Sequence, residues 1–489
     1  MSVPTEVDAQ VARRSFWRVW LLTVALLFPF CLLWAAAQPM FAGMDEAAHI
    51  ATAQGFSRGD FSEPFESDGL PMEEQGCYNP SELITADCAN LVWGADGTEV
   101  RTKTDDYPPG FHAVAAIPAF FVSGLGGTYV MRAWMAAVCC AIIGWAAGLL
   151  LRPGRGRWPV LGLVMGVLPM SMSVMSTVNP SGMAVALTAL AVSGLVVRFR
   201  WDDRRPMVWV AVGVGLVGLL LVRRDGLAWV AVIGAMFAPI VLADSSRRRG
   251  AMAALRSAIG SHARASLAIG VATLVLAVVA TVLFVVPVLS KFFERSEVGG
   301  NGSRWQGLGE IQLNMQQMVG ILGRIHGFVG YELYTMVMIG GGLLVALAVA
   351  SGRRDWSWAT VIGVFALLAT PVAFGFVSFP YFQGRYLLPI WVALMLVASV
   401  GVALAGLPHG IESQLQVGLA SLWWIIHLFS FWQALRRYSV TRIGGWWDVV
   451  SDPAWEPPMV SNGALFVLLV VLVAVPTPLI ARQLMRAVD

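Results

Sequence analysis

Charge is what this chain has least of. Asp, Glu, Lys and Arg make up 13% of its 489 residues, about half the roughly 25% of a soluble globular chain. That deficit excludes a water-soluble enzyme or binding module as the bulk of the protein. Lysine is nearly missing: Lys103 and Lys291 stand alone, so the basic content is arginine. Nothing in this composition calls for a nucleic-acid partner. No polar stretch is long enough to fold as a separate domain, so residues 1–489 make one polytopic unit. Cysteine is scarce too. Cys31, Cys139 and Cys140 lie in apolar runs and suit a core. Cys77 and Cys88 lie in a polar loop; they pair if that loop faces an oxidising compartment and stay as two thiols if it does not. Walker loops, zinc-ligand spacings and nucleophile elbows are absent, which removes several rival chemistries.

Long apolar runs are what the chain does have, and 57% of its residues are hydrophobic. Runs of span length predict an all-α integral membrane protein with about 12 transmembrane helices. The first covers about Val19–Gln38; it is long and lacks a small-residue cleavage pattern, so it should remain as a span. The second ends at Leu151. The others fall at about 159–178, 181–198, 207–222, 226–243, 266–289, 331–350, 357–377, 386–406, 414–433 and 463–481. Pro108 to Ser123 reads as a short juxtamembrane helix. Arg13, Arg14, Arg18, Arg152, Arg155, Arg157, Arg198, Arg200, Arg204, Arg205, Arg247, Arg248, Arg249, Arg256, Arg264, Arg353, Arg354, Arg482 and Arg486 then share one side. The positive-inside rule makes that side cytoplasmic, with both termini on it. Residues 39–107, 290–330 and the Trp-rich 434–462 become outer segments.

The polar outliers gather on the outer side. Asp45, Glu46 and His49 follow the first span, with Asp45 and His49 one helical turn apart. Asn179-Pro180-Ser181-Gly182, Arg223-Arg224-Asp225, Gln383-Gly384-Arg385-Tyr386 and Arg436-Arg437 lie at other outer turns. Ionisable groups at a membrane are costly and mark sites. Each also has a plainer role. Asp45 can cap the helix that begins there. Arg223 and Arg224 can snorkel to headgroups. Asn179-Pro180 is ordinary turn chemistry, Trp446, Trp447 and Trp455 suit an aromatic belt, and His112, His326 and His427 suit packing. One Asp-Glu pair and a histidine do not define a metal set, so the metal is unassigned and a divalent cation stays open.

A carboxylate beside arginines on the outer face suits transfer of a group from a phosphate. The carboxylate takes the proton of an acceptor hydroxyl. The arginines hold the phosphate and the charge that builds on it. Nucleotide donors are not available outside the cytoplasm, so the donor is expected to be a lipid phosphate in the membrane.

The arrangement resembles the GT-C superfamily of membrane glycosyltransferases, which use polyprenyl-phosphate sugars. The likeness rests on Asp45-Glu46 after the first span, Tyr107-Pro108-Pro109, the glycines from Gly124 to Gly127, and Arg132. More narrowly, the chain is similar to a bacterial multispan family catalogued as a domain of unknown function. The residues that carry this are Asp45, Glu46 and His49; Asn179-Pro180; Gln383, Gly384, Arg385, Tyr386 and Pro389; and Trp455, Pro457 and Pro458. Met44 stands where that family often has proline, and Ser181 where it often has aspartate.

The resemblance implies an inverting glycosyltransferase moving a sugar from a polyprenyl-phosphate donor to a cell-envelope glycan or lipid acceptor. Asp45 would be the base, Glu46 would orient the acceptor or a metal, and His49 would complete the catalytic cluster. Arg385, Arg223 and Arg224 would bind the donor phosphate. Tyr107, Gln383, Tyr386 and Asp225 would contact substrate. A transporter or flippase of lipid-linked glycan is the alternative. It predicts broken helices or mid-span charges, and the sequence pattern shows neither. A non-catalytic assembly subunit is the third reading.

Overall fold

The structure, a computed structural model, describes residues 6–486 apart from 44, 63, 68–76, 78–80, 82, 90–97, 103, 105–106, 244–310, 323–326, 329 and 379–381. It is an all-α integral membrane protein. Helices α1 (Glu6–Ala37), α2 (Glu46–Arg58), α3 (Pro109–Ala115) and α4 (Gly124–Leu150) come first. Then follow α5 (Trp158–Gly166), α6 (Pro169–Met175), α7 (Pro180–Trp201), α8 (Pro206–Val222) and α9 (Gly226–Leu242). The later helices are identified by their residue ranges.

Eight helices among the described residues are long and apolar enough to cross a membrane, and α8 and α9 are shorter apolar helices. The run expected at 266–289 lies outside the described residues. The segment between Pro108 and Ser123 is α3 followed by a short 3₁₀ turn at Pro118–Phe120, as its length suggested. Arg436 and Arg437, expected in a loop, extend the helix His409–Ser439 as its last turn.

The expectation of unbroken spans fails at 159–178. There α5 and α6 meet at a bend of 67°. Pro169 is the cause: it has no N–H to give, and it forces Leu168 into an extended conformation (φ −94°, ψ 165°). Backbone freed at such a break must find partners inside the protein. Trp391 Nε1 donates to Met165 O at 2.9 Å, and Trp423 Nε1 donates to Val167 O at 3.1 Å. His427 Nε2 lies 3.0 Å from the same oxygen. Fixed side chains therefore cap the break.

Two spans form the centre, α7 and Gly384–Ala405, each with 89% of its apolar window buried inside the protein. Small residues allow this. A Cβ on Gly215 would lie 2.7 Å from Ala191 N, so α8 rests backbone to backbone on α7. Alternation of the helices brings the end of α1, the starts of α4 and α7, the α8–α9 turn and the start of Gly384–Ala405 to one end of the bundle. The loop after α2 lies there as well. It is pinned by a Cys77–Cys88 disulfide and by an antiparallel pair, Phe65–Ser67 against Thr98–Val100. Arg437 ties it down further, donating to Ser81 O at 2.7 Å and Ile84 O at 2.8 Å.

Candidate active site

The site grows from the turn that leaves α1. Phe41 (φ 64°) and Asp45 (φ 59°) both sit in the left-handed region. That is uncommon outside glycine and an outlier for a bulky residue. Such a turn persists only where its surroundings hold it, and it is a reason to look for function. Arg132, on α4 and fully buried, does the holding. Its guanidinium donates to Ala35 O, Gln38 O and Pro39 O, each at 2.8 Å. These are carbonyls that the end of α1 leaves without helical partners. It also donates to both oxygens of Glu46, at 2.7 and 2.6 Å. Val178 N–H donates to Glu46 as well, at 3.2 Å.

Asp45 and Glu46 therefore part company. Glu46 has 0% side-chain exposure, and its carboxylate is occupied by Arg132. That differs from the expectation that it orients an acceptor or a metal; its place is in the clamp on the α1–α2 turn. Asp45 is 50% exposed and makes no side-chain cap bond to α2, so capping does not account for it. Its carboxylate meets Arg385, which lies 340 residues on in sequence.

Around that pair stands a continuous cluster. Arg385 lies over the Tyr386 ring at 5.4 Å, and Arg223 over the same ring at 4.5 Å. Arg223 is buried, donates twice to Asp225 (2.6 and 2.9 Å) and donates to Ser181 Oγ at 2.7 Å. Burial works against its charge, but Asp225 outweighs this and keeps it firmly protonated. Arg224 lies over the Tyr107 ring at 4.7 Å. Tyr107 in turn meets His49 edge-on, with ring centroids 5.1 Å apart. Burial raises the Tyr107 phenol above its ordinary range, Tyr386 adds to this, and the arginines oppose it.

His49 continues the cluster inward. It is buried, and its Nδ1 is 3.1 Å from His112 Nε2. Burial first, then His112 and the arginines, hold His49 well below the ordinary imidazole value. Burial alone brings His112 down to about 3. Both rings are thus neutral at physiological pH. His112, expected to be a packing residue, is also the partner of His49.

The structure brings Asp45, His49, Tyr107, Arg223, Arg224, Asp225, Arg385 and Tyr386 together. It also enlists Ser181, Arg132 and His112, to which the sequence assigned no site role. An arginine inside an apolar run was the available signal for Arg132. Asn179 keeps its turn role: its side chain accepts from Ser181 N–H at 2.9 Å and caps α7. Gln383 is half-buried beside Arg385, and its Oε1 meets no donor among the described residues. No three His, Cys, Asp or Glu stand together as metal ligands among the described residues. Trp446 and Trp447 are exposed, with Arg436 over the Trp446 ring at 5.0 Å.

Fold and site together define a polytopic helical membrane protein that gathers a charged, aromatic cluster at one end of its bundle. The chain belongs to the predicted membrane protein family DUF2142, whose profile matches residues 28–394. That range holds every member of the cluster from Asp45 to Tyr386. No curated protein and no solved structure matches the chain.

Proposed function

We propose that the protein is a glycosyltransferase of the GT-C kind, acting on the outer face of the cytoplasmic membrane. It would move a sugar from a polyprenyl-phosphate donor to a cell-envelope glycan or lipid. The observation that carries this reading is the Asp45–Arg385 pair: a half-exposed carboxylate against a buried guanidinium, with Arg223 over the same Tyr386 ring as Arg385 and Arg224 over Tyr107.

The donor phosphate competes with Asp45 for Arg385, because phosphate accepts an arginine fork as well as carboxylate does. Arg385, with Arg224 beside it, takes the phosphate, and Asp45 is released toward the acceptor. The acceptor hydroxyl oxygen then bonds to the sugar's anomeric carbon from the face opposite the phosphate. The bond from that carbon to the phosphate oxygen breaks, and its electron pair leaves with the phosphate. The hydroxyl proton passes to Asp45. Configuration at the anomeric carbon is inverted. Arg223, neutralised by Asp225, serves chiefly to hold Tyr386 and the α7 terminus in place.

The test is transfer by purified protein supplied with polyprenyl-phosphate sugars and envelope-derived acceptors. Activity should be lost in Asp45→Asn and Arg385→Ala, with both variants folded. Full activity in Asp45→Asn would remove the assignment of the base.

The bend between α5 and α6 keeps a second reading in view, because transporters place their sites at broken spans. Here Trp391, Trp423 and His427 already satisfy the backbone at the break, leaving it no open carbonyl at Met165 or Val167 for a coupling ion. Lipid-linked glycan movement across vesicles without any sugar transfer would favour that reading.

A further inference from the structure

The sequence marks 290–330 only as a loop, yet residues 311–320 form a helix that enters the protein interior. Asn314 and Gln316 on it are buried. The helix docks on the turn that carries Gln383 and Arg385. Gly384 N–H donates to Gln317 Oε1 at 2.7 Å. A Cβ on residue 384 would fall 1.9 Å from Asn314 O, so glycine is what lets the two backbones meet. The next residue is Arg385, which reaches Asp45. The preceding one is Gln383, whose Oε1 is buried and meets no donor among the described residues.

A buried amide oxygen without a donor is rare in folded proteins and calls for an explanation. Every polar side chain of the helix is an uncharged amide, Gln312, Asn314, Gln316 and Gln317, and so is that of Gln383 beside Arg385. Amides are poor company for a phosphate, which the neighbouring arginines serve better. They match hydroxyl and acetamido groups, whose O–H and N–H donate to an amide oxygen.

We infer that the helix 311–320 and Gln383 form the subsite for the sugar of the donor, with Gln383 Oε1 accepting a sugar hydroxyl or acetamido N–H. This rests on the glycosyl-transfer reading above. The division of labour is chemical: arginines hold the charged phosphate common to all donors, and amides read the neutral part in which donors differ. Sites built to hydrogen-bond a hydroxyl reject analogues lacking it more strongly than apolar pockets reject an extra methylene. That makes this helix the determinant of which sugar is used.

The test measures binding to the purified full-length protein in detergent. The probes are bare decaprenyl phosphate and decaprenyl phosphate bearing glucose, mannose, galactose, arabinose or N-acetylglucosamine. Wild type should bind one sugar-bearing lipid more tightly than the bare lipid. Gln383→Leu and Asn314→Leu should weaken that lipid about tenfold, the order expected for one lost hydrogen bond, and leave bare lipid phosphate unchanged. Arg385→Ala should weaken both. The melting temperature of Gln383→Leu should not fall, because the change removes a buried acceptor that had no partner. If Gln383→Leu leaves the preference intact, water satisfies Oε1 and the subsite is refuted. Equal weakening of bare and sugar-bearing lipid also refutes it. Wild type that binds bare lipid phosphate but prefers no sugar-bearing form sinks the subsite alone. Failure to bind lipid phosphate in any form sinks the glycosyl-transfer reading and the subsite with it.

Discussion

Arg132 grips Glu46 through both carboxylate oxygens, at 2.6 and 2.7 Å, with neither side chain reaching solvent. The same guanidinium holds three carbonyls at the end of α1. An adjacent residue, Asp45, is thereby presented to Arg385 in a left-handed conformation. The clamped carboxylate and the half-exposed one are neighbours in sequence and opposite in surroundings.

Breaking a buried ion pair from one side leaves a charge without compensation and costs about 3–5 kcal/mol. Glu46→Gln and Arg132→Met should both lose stability on that scale. Arg132→Met should be the worse of the two, because it also takes the donor from Ala35 O and Gln38 O, while Pro39 O keeps the Ala42 N–H. Thermal unfolding of the detergent-solubilised protein gives the ranking; equal melting temperatures for the two variants and wild type would contradict the clamp.

Asp45→Asn removes the half-exposed member of a pair whose other member, Arg385, is buried, so its cost should lie between that of an exposed pair, about 0–1 kcal/mol, and that of a fully buried one, about 3–5 kcal/mol. The variant should fold, with a melting temperature lowered less than in Glu46→Gln. A general base supplies about 10²–10⁴-fold in rate, and the turnover number should fall by that order. Transfer assays and unfolding curves on one preparation separate the two effects. A large loss of stability with proportionate loss of activity would show Asp45 to be structural.

Gly384→Ala should be destabilising, by about 1–3 kcal/mol, the range for overpacking a tight site. The cause is the 1.9 Å approach of its new Cβ to Asn314 O. Gly418 offers the contrast. It lies within the helix His409–Ser439, and nothing stands within 4 Å of where its Cβ would be. Gly418→Ala should be neutral or stabilising, by up to about 1 kcal/mol. The melting temperature should fall in Gly384→Ala and hold or rise in Gly418→Ala.

Stability should depend on pH through the histidine pair. His49 and His112 have folded-state values below the ordinary 6.5, His112 at about 3. The unfolded chain therefore binds more protons than the native one as pH falls below about 6.5. The stabilisation is complete above that value and is lost progressively toward about pH 3. Melting temperature measured from pH 7.5 downward should decline, and the slope should be shallower in His112→Gln. A wild-type melting temperature that stays flat from pH 6.5 to 4 would contradict the burial of these rings as neutral bases.

Much of this was legible in the chain. The helical, membrane-spanning class follows from apolar run length, a local property that needs no tertiary information; of the 12 runs expected, eight are helices of span length among the described residues. Pairing of Cys77 with Cys88 was one of two open readings and is the one the structure takes. Asp45, Arg223, Arg224 and Arg385 stood out because ionised groups beside apolar runs are costly and few sequences keep them idly. The bend at Pro169 was hidden by continuous hydropathy across 159–178. Its signal was a single proline, which many helices tolerate, and what stabilises it comes from Trp391 and Trp423, more than two hundred residues later. The helix 311–320 was hidden because its amides carry no apolar periodicity.

By itself the sequence determined that this is a membrane-spanning helical protein with its unusual charges near span ends. Hydrophobicity and charge are properties of each residue, and the bilayer acts on them directly. Only the tertiary structure decided which of two adjacent carboxylates is available for chemistry. Asp45 and Glu46 have nearly the same acid group. What separates them is a left-handed turn and an arginine 86 residues away, and neither the turn's direction nor that arginine's reach is written in the local pattern.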